Sequence, residues 1–178
     1  MELKQKGEEA NVGGFNQLMV AMRWTTAADF DLAAAYEDKS GKQGLIYFGE
    51  RGDLNAPPFM QLSGDEGVGD KGGDNEEILR ITKLDDMNFV WIMCWDYGKI
   101  QEGAAARFKD SDVSLSVMDD RGTTHDVTLD TGEMGNIAVL ATIDCSSPIG
   151  AKLVNSSKAG TLKGLKTLQD LMAVIRED

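Results

Sequence analysis

Phe89-Val90-Trp91-Ile92-Met93-Cys94-Trp95 is a nearly continuous apolar run, bounded by the turn residues Asp85-Asp86-Met87-Asn88 before it and by Asp96 after it. A short run with no polar face suits a central β-strand buried on both sides. Working outward, the flanking segments alternate. Upstream, Leu18, Val20, Met22 and Trp24 share one strand face, as do Phe30, Leu32, Ala34 and Tyr36. Side chains of a strand point to opposite faces in turn, so this spacing marks half-buried strands. Ser40-Gly41-Lys42-Gln43-Gly44 predicts a hairpin turn into Leu45-Ile46-Tyr47-Phe48. Ile78, Leu79 and Ile81 give a strand over 77–83.

Downstream, Val113, Leu115 and Val117 alternate with Asp112, Ser114 and Ser116. Asp119-Asp120-Arg121-Gly122 reads as a hairpin turn, followed by His125, Val127 and Leu129 with the same period. Residues 137–143 predict another buried strand, and 151–154 a short last one. The period then changes: Leu165, Leu168, Leu171, Met172 and Ile175 fall on one helical face, with Thr161 as the expected N-cap. Many short strands followed by one amphipathic helix predict a mostly β protein. The expected architecture is an antiparallel two-sheet β-sandwich with a C-terminal helix. Residues 1–14 are polar and expected as a flexible segment, leaving 15–178 as a single domain.

The chain has 178 residues, 42% of them apolar, and a formal net charge of -12. That length and apolar content suffice for a real core. The charge argues against nucleic acid, which needs clustered Lys and Arg, and against direct binding to anionic lipid. The first residues are polar and no apolar stretch is long enough to span a bilayer, so a cytoplasmic location is expected. Cys94 and Cys145 sit in or beside apolar runs and read as buried free thiols.

The long connection over 49–77 carries the most unusual chemistry. Within it, residues 64–77 hold Asp65, Glu66, Asp70, Asp74, Glu76 and Glu77 among five glycines, with Lys71 as the single cation. Crowded carboxylates repel, and glycines lose the most backbone entropy on ordering. A hard cation such as calcium prefers carboxylate and carbonyl oxygens, so the segment reads as a calcium loop. The competing reading is a solvated acidic surface, which would serve a basic protein partner without metal. Gly67-Val68-Gly69-Asp70-Lys71-Gly72 fits the dinucleotide spacing. Its acidic flanks would repel phosphate, however, and no helix pattern follows it. An EF-hand is excluded because Gly67 and Gly69 stand where that loop needs oxygen ligands.

Asp29 and Asp31 lie two apart on a predicted strand and therefore on one face, an arrangement that a cation would stabilise. Asp53 and Asp96 are further candidates for the same rim. Catalytic signatures are scarce. His125 is the single histidine, placed on a strand beside Asp126 and read as structural or surface, and no G-x-S-x-G motif is present. A non-enzymatic protein is expected.

These residues resemble the TerD family of tellurium-resistance and general stress proteins. Ser63-Gly64-Asp65 through Gly73-Asp74-Asn75-Glu76-Glu77-Ile78 is similar to the family's acidic signature. Asp29-Phe30-Asp31-Leu32-Ala33-Ala34 resembles its D-x-D-L-D-A-S strand, with Ala33 where a third aspartate is usual. Phe89 to Asp96 resembles its strand ending in I-Y-D. The resemblance implies a β-sandwich that binds one or two calcium ions through loops at one end, without established enzymatic activity. By position it implies Asp29, Asp31, Asp65, Asp70, Asp74, Glu76 and Glu77 as ligands, and a role as a calcium sensor or scaffold in the stress response.

Overall fold

The computed structural model describes residues 1–25, 30–63, 75–102, 104, 106–107, 112–162 and 167–176. Fifteen strands and two helices follow one another along these residues. In order, the strands are β1 (Glu2–Leu3), β2 (Glu9–Asn11), β3 (Leu18–Trp24), β4 (Phe30–Asp38), β5 (Gln43–Ile46), β6 (Gly52–Asp53), β7 (Met60–Leu62), β8 (Asn75–Ile81) and β9 (Met87–Asp96). After α1 (Tyr97–Glu102) come β10 (Ala106–Arg107), β11 (Ser114–Asp119), β12 (Thr124–Thr128), β13 (Met134–Gly135), β14 (Ile137–Asp144), β15 (Lys152–Gly160) and α2 (Leu168–Arg176).

Two sheets result. One has the order β1-β12-β11-β3-β8-β7-β6, the other β2-β15-β14-β9-β4-β5, and β10 pairs with β13 apart from both. All pairings are antiparallel except β1 with β12. Val20, Met22, Leu79, Ile81, Leu115 and Val117 from the first sheet share one core with Leu32, Ala34, Val90, Ile92, Leu140 and Ile143 from the second. This is the expected antiparallel sandwich.

The run over 89–95 is apolar throughout because both of its faces are buried. Val90, Ile92 and Cys94 enter the inter-sheet core. Trp91, Met93 and Trp95 enter a second core on the outer face of the six-stranded sheet. Helix α2 covers that face with Leu171, Met172 and Ile175, and α1 contributes Ile100. Arg176 closes the edge of the cover: its guanidinium reaches Glu37 at 2.6 Å and lies 5.3 Å from the Trp91 ring centre.

Several local expectations change. Residues 1–14, expected as flexible, carry β1 and β2, with Leu3 fully buried and Ala10 nearly so. The predicted connection over 49–77 contains β6 and β7 and yields to β8 at Asn75. The predicted last short strand extends to Gly160 as β15. After Leu153 its inward positions are the polar Asn155 and Ser157, which hide the alternation. Asn155 Nδ2 donates to the carbonyls of Leu3 at 2.8 Å and Thr128 at 2.9 Å, so its burial is compensated. The N-cap of α2 is Thr167, whose Oγ1 accepts from the Asp170 N–H at 3.1 Å, rather than Thr161. Leu165 lies outside the described residues. Cys94 and Cys145 are both free thiols; Cys94 is buried, as expected, whereas Cys145 is only partly buried. Among the described residues no helix is long and apolar enough to cross a membrane.

Candidate functional site: an acidic end of the sandwich

Sheet register gathers acidic residues at one end of the molecule. Strand β3 ends at Trp24 opposite Asn75, where β8 begins, and Arg23 lies between Glu76 on one side and Ser114 on the other. In the other sheet, β4 begins at Phe30 opposite Asp96, the last residue of β9. The segments 26–29 and 64–74 both join strands at this end. Of the residues expected as calcium ligands, Asp29, Asp65, Asp70 and Asp74 lie outside the described residues. Asp31, Glu76 and Glu77 can be placed.

Strand parity sends these three in different directions. Leu79 and Ile81 point into the inter-sheet core, so Glu77 on the same face of β8 points inward too and is 2% exposed. Its Oε2 accepts a hydrogen bond from the Leu32 N–H at 3.1 Å. Leu32 lies on β4 beyond the last residue paired with β5, so the N–H needs an acceptor from elsewhere. Glu76 faces outward and pairs with Arg23 at 2.5 Å. Asp31 shares the outer face of the six-stranded sheet with Ala33 and Ala35 and is 8% exposed. Among the described residues no three His, Cys, Asp or Glu side chains converge as metal ligands.

The fields of Glu77 and Asp31 nevertheless meet at one thiol. Cys94, paired with Leu32 across β4 and β9, has its pKa pushed well above the ordinary value, chiefly by burial and further by Glu77, Asp31 and Asp96. Negative charge therefore reaches this point from both sheets. Asp96 itself caps α1, accepting from the Lys99 N–H at 3.2 Å.

Two further residues take part. Asp112, just before β11, accepts from the Thr25 N–H at 2.8 Å through Oδ1 and from the Thr25 hydroxyl through Oδ2. This grips the chain where it leaves β3. Asn75 is 3% exposed and donates from Nδ2 to the Trp24 carbonyl at 3.3 Å. Together Arg23, Trp24, Thr25, Asn75, Glu76 and Asp112 line an open cleft of about 490 Å³. Asp112 alternates with apolar neighbours like any solvent-facing strand residue, so only its contact with Thr25 distinguishes it.

Other candidates lie elsewhere. Asp53 accepts from the Asn55 N–H at 2.8 Å in a turn within 52–55. His125 faces inward opposite Val117, near the end of the sandwich remote from Asp31 and Glu77. Burial, and then the Met1 ammonium, lower its pKa, and its buried Nδ1 has no hydrogen-bond partner among the described residues.

No family model matches the sequence, and no curated protein does. Solved structures do match. A homologue of the telluride resistance protein TerD, SCO6318 from Streptomyces coelicolor A3(2), superposes with a TM-score of 0.58 at 15% identity, covering 90% of this chain and 96% of that one. This chain has the TerD-type fold. SAV2460, a protein of unknown function, matches with the same TM-score and identity over 83% of this chain and 93% of its own. At that identity the TerD-type fold is common ground while most side chains differ. The acidic end must therefore be judged on the residues this chain places there.

Proposed function

We propose that this chain is a calcium-binding protein of the tellurium-resistance, stress-response class, acting in the cytoplasm as a non-enzymatic sensor or scaffold. The observation that carries the proposal is the acidic end of a TerD-type sandwich. Asp31, Glu76, Glu77, Asp96 and Asp112 occupy strand ends there, and Asp29 and the acidic sequence of 64–74 precede β4 and β8 directly. Asp31, Glu76 and Glu77 alone do not fit a calcium ion, because they point to three different faces. The proposal therefore requires Asp29, Asp65, Asp70 and Asp74 to complete one or two sites. Hard oxygen donors of this kind suit calcium better than a transition metal, which would recruit histidine or thiolate. Calcium would neutralise several charges, and binding to the folded state alone would stabilise it by mass action. Protein partners would then read the ordered loops.

A second reading is favoured by the contacts already made. Arg23 holds Glu76 and the Leu32 N–H holds Glu77, so these two carboxylates are satisfied without metal. On this reading the acidic end is a metal-independent surface for a basic protein partner, sensitive to salt and indifferent to chelators.

Calcium titration by calorimetry on chelator-stripped protein, with magnesium as control, separates the two. Calcium-selective heat that is lost in Asp31→Ala and Asp74→Ala supports the sensor. The absence of both heat and thermal shift leaves the metal-independent surface.

A further inference from the structure

The end of the sandwich remote from Asp31 carries a cleft that the calcium reading does not use. Four connections meet there: residues 12–15 between β2 and β3, 39–42 between β4 and β5, 82–85 between β8 and β9, and 145–151 between β14 and β15. They enclose about 400 Å³. That falls within the range of small-molecule sites, roughly 300–1,000 Å³. The floor is apolar and continuous with the inter-sheet core, formed by Val12, Phe15, Leu84, Cys145 and Ala151. The Ser147 hydroxyl and the backbone of Gly13 and Gly14 supply polar lining.

The rim carries positive charge. Among the described residues some cations hold a carboxylate and others, exposed ones such as Lys42, do not. Lys83 does so, lying 3.8 Å from Asp86 and 5.0 Å from the centre of the Phe59 ring. Lys39 does not: among the described residues its ammonium has no ion-pair partner, and it lines the cleft. It is also close enough to Cys145 to act on that thiol. Burial, reinforced by Asp144, raises the Cys145 pKa to about 11, and Lys39 works against both. The thiol is therefore neutral and serves as floor rather than as nucleophile. Asp85 is the one carboxylate in the lining.

The geometry points to a binding site for a small anion with an apolar body, its head group on Lys39 and its body on Phe15, Leu84 and Ala151. An unpaired ammonium beside an apolar floor fits an organic carboxylate or a phosphate monoester. The two share the anionic head, and the site uses no calcium.

Octanoate and inorganic phosphate, titrated into the full chain in chelator, test this by calorimetry and by amide chemical shifts. Saturable octanoate binding, with shifts centred on residues 12–15 and 145–151 and affinity at least tenfold weaker in Lys39→Glu, is the expected result. Equal binding of phosphate would assign the recognition to the head group alone and would overturn the role of the floor. Ala151→Leu narrows the floor without touching the charge and is expected to weaken octanoate selectively. Non-saturable binding, or octanoate affinity unchanged in Lys39→Glu, would overturn the site.

Discussion

The buried carboxylate of Glu77 accepts the backbone N–H of Leu32 at 3.1 Å, linking β8 of one sheet to β4 of the other. The bond sits where β4 has run past its β5 partner, so it replaces a missing rung of the ladder. It also gives a charged side chain between the sheets a definite structural task, whichever reading of the acidic end holds.

Glu77→Ala is expected to leave the Leu32 N–H unsatisfied in the interior. The cost of an orphaned buried group is about 1–3 kcal/mol, more where a charge is involved. Glu77→Gln keeps a carbonyl acceptor and should lose clearly less. Urea unfolding in chelator measures both, and equal losses would show that the hydrogen bond is not what Glu77 contributes.

Arg23 and Glu76 form an ion pair whose side chains are 52% and 36% exposed. A pair this open contributes roughly 0–1 kcal/mol, so Arg23→Gln should barely move the unfolding midpoint in chelator. Its effect on calcium should be larger in proportion. Removing a positive charge a few ångströms from a cation site relieves about 1 kcal/mol of repulsion, roughly a fivefold gain in affinity. Weaker calcium binding in Arg23→Gln would place Glu76 outside the site.

Stability should fall in acid in two steps. His125 has a lowered pKa in the folded protein, from burial first and the Met1 ammonium second. Its neutral form is favoured by folding, so its contribution is complete above the unfolded value of about 6.5 and is lost as pH falls below that. His125→Gln should flatten the first step. The second belongs to the turns. The Thr123 N–H holds the Asp119 carboxyl below its ordinary value, and the Asn16 N–H does the same for Asp120. Ionised, these favour the folded state, and their contribution disappears as pH drops below about 4. Asp119→Asn should reduce that loss in a pH series of thermal unfolding, leaving the first step intact.

The strands that form the core were legible because burial on one face leaves an alternating trace, and burial on both leaves the unbroken run over 89–95. The shortest elements left no such trace, although Leu3, Met60 and Leu62 anchor two of them in the core. Strands β1, β6 and β7 are two or three residues long, too short to show a period. Strand β15 was hidden because Asn155 and Ser157 occupy its inward positions. At the acidic end, residue types were readable but directions were not. Glu76 and Glu77 are neighbours in sequence and face opposite sides of β8, one toward Arg23 and one toward Leu32. Asp112 depends on Thr25, a partner 87 residues away.

The C-terminal helix makes a last prediction that separates the two cores. Leu171 is fully buried in the cluster that includes Trp91, Met93 and Trp95, outside the inter-sheet core. Leu171→Ala removes branched apolar volume from a closed site and should cost about 2–5 kcal/mol, as such truncations do. The helix covers only the outer face of the six-stranded sheet, so the inter-sheet core should survive its loosening. Near-ultraviolet circular dichroism, to which the outer core contributes Trp91 and Trp95 and the inter-sheet core Trp24, should lose part of its intensity before far-ultraviolet strand signal does. Coincident loss of both signals would mean that the two cores unfold as one unit, and that α2 is an integral part of the sandwich rather than a cover laid over it.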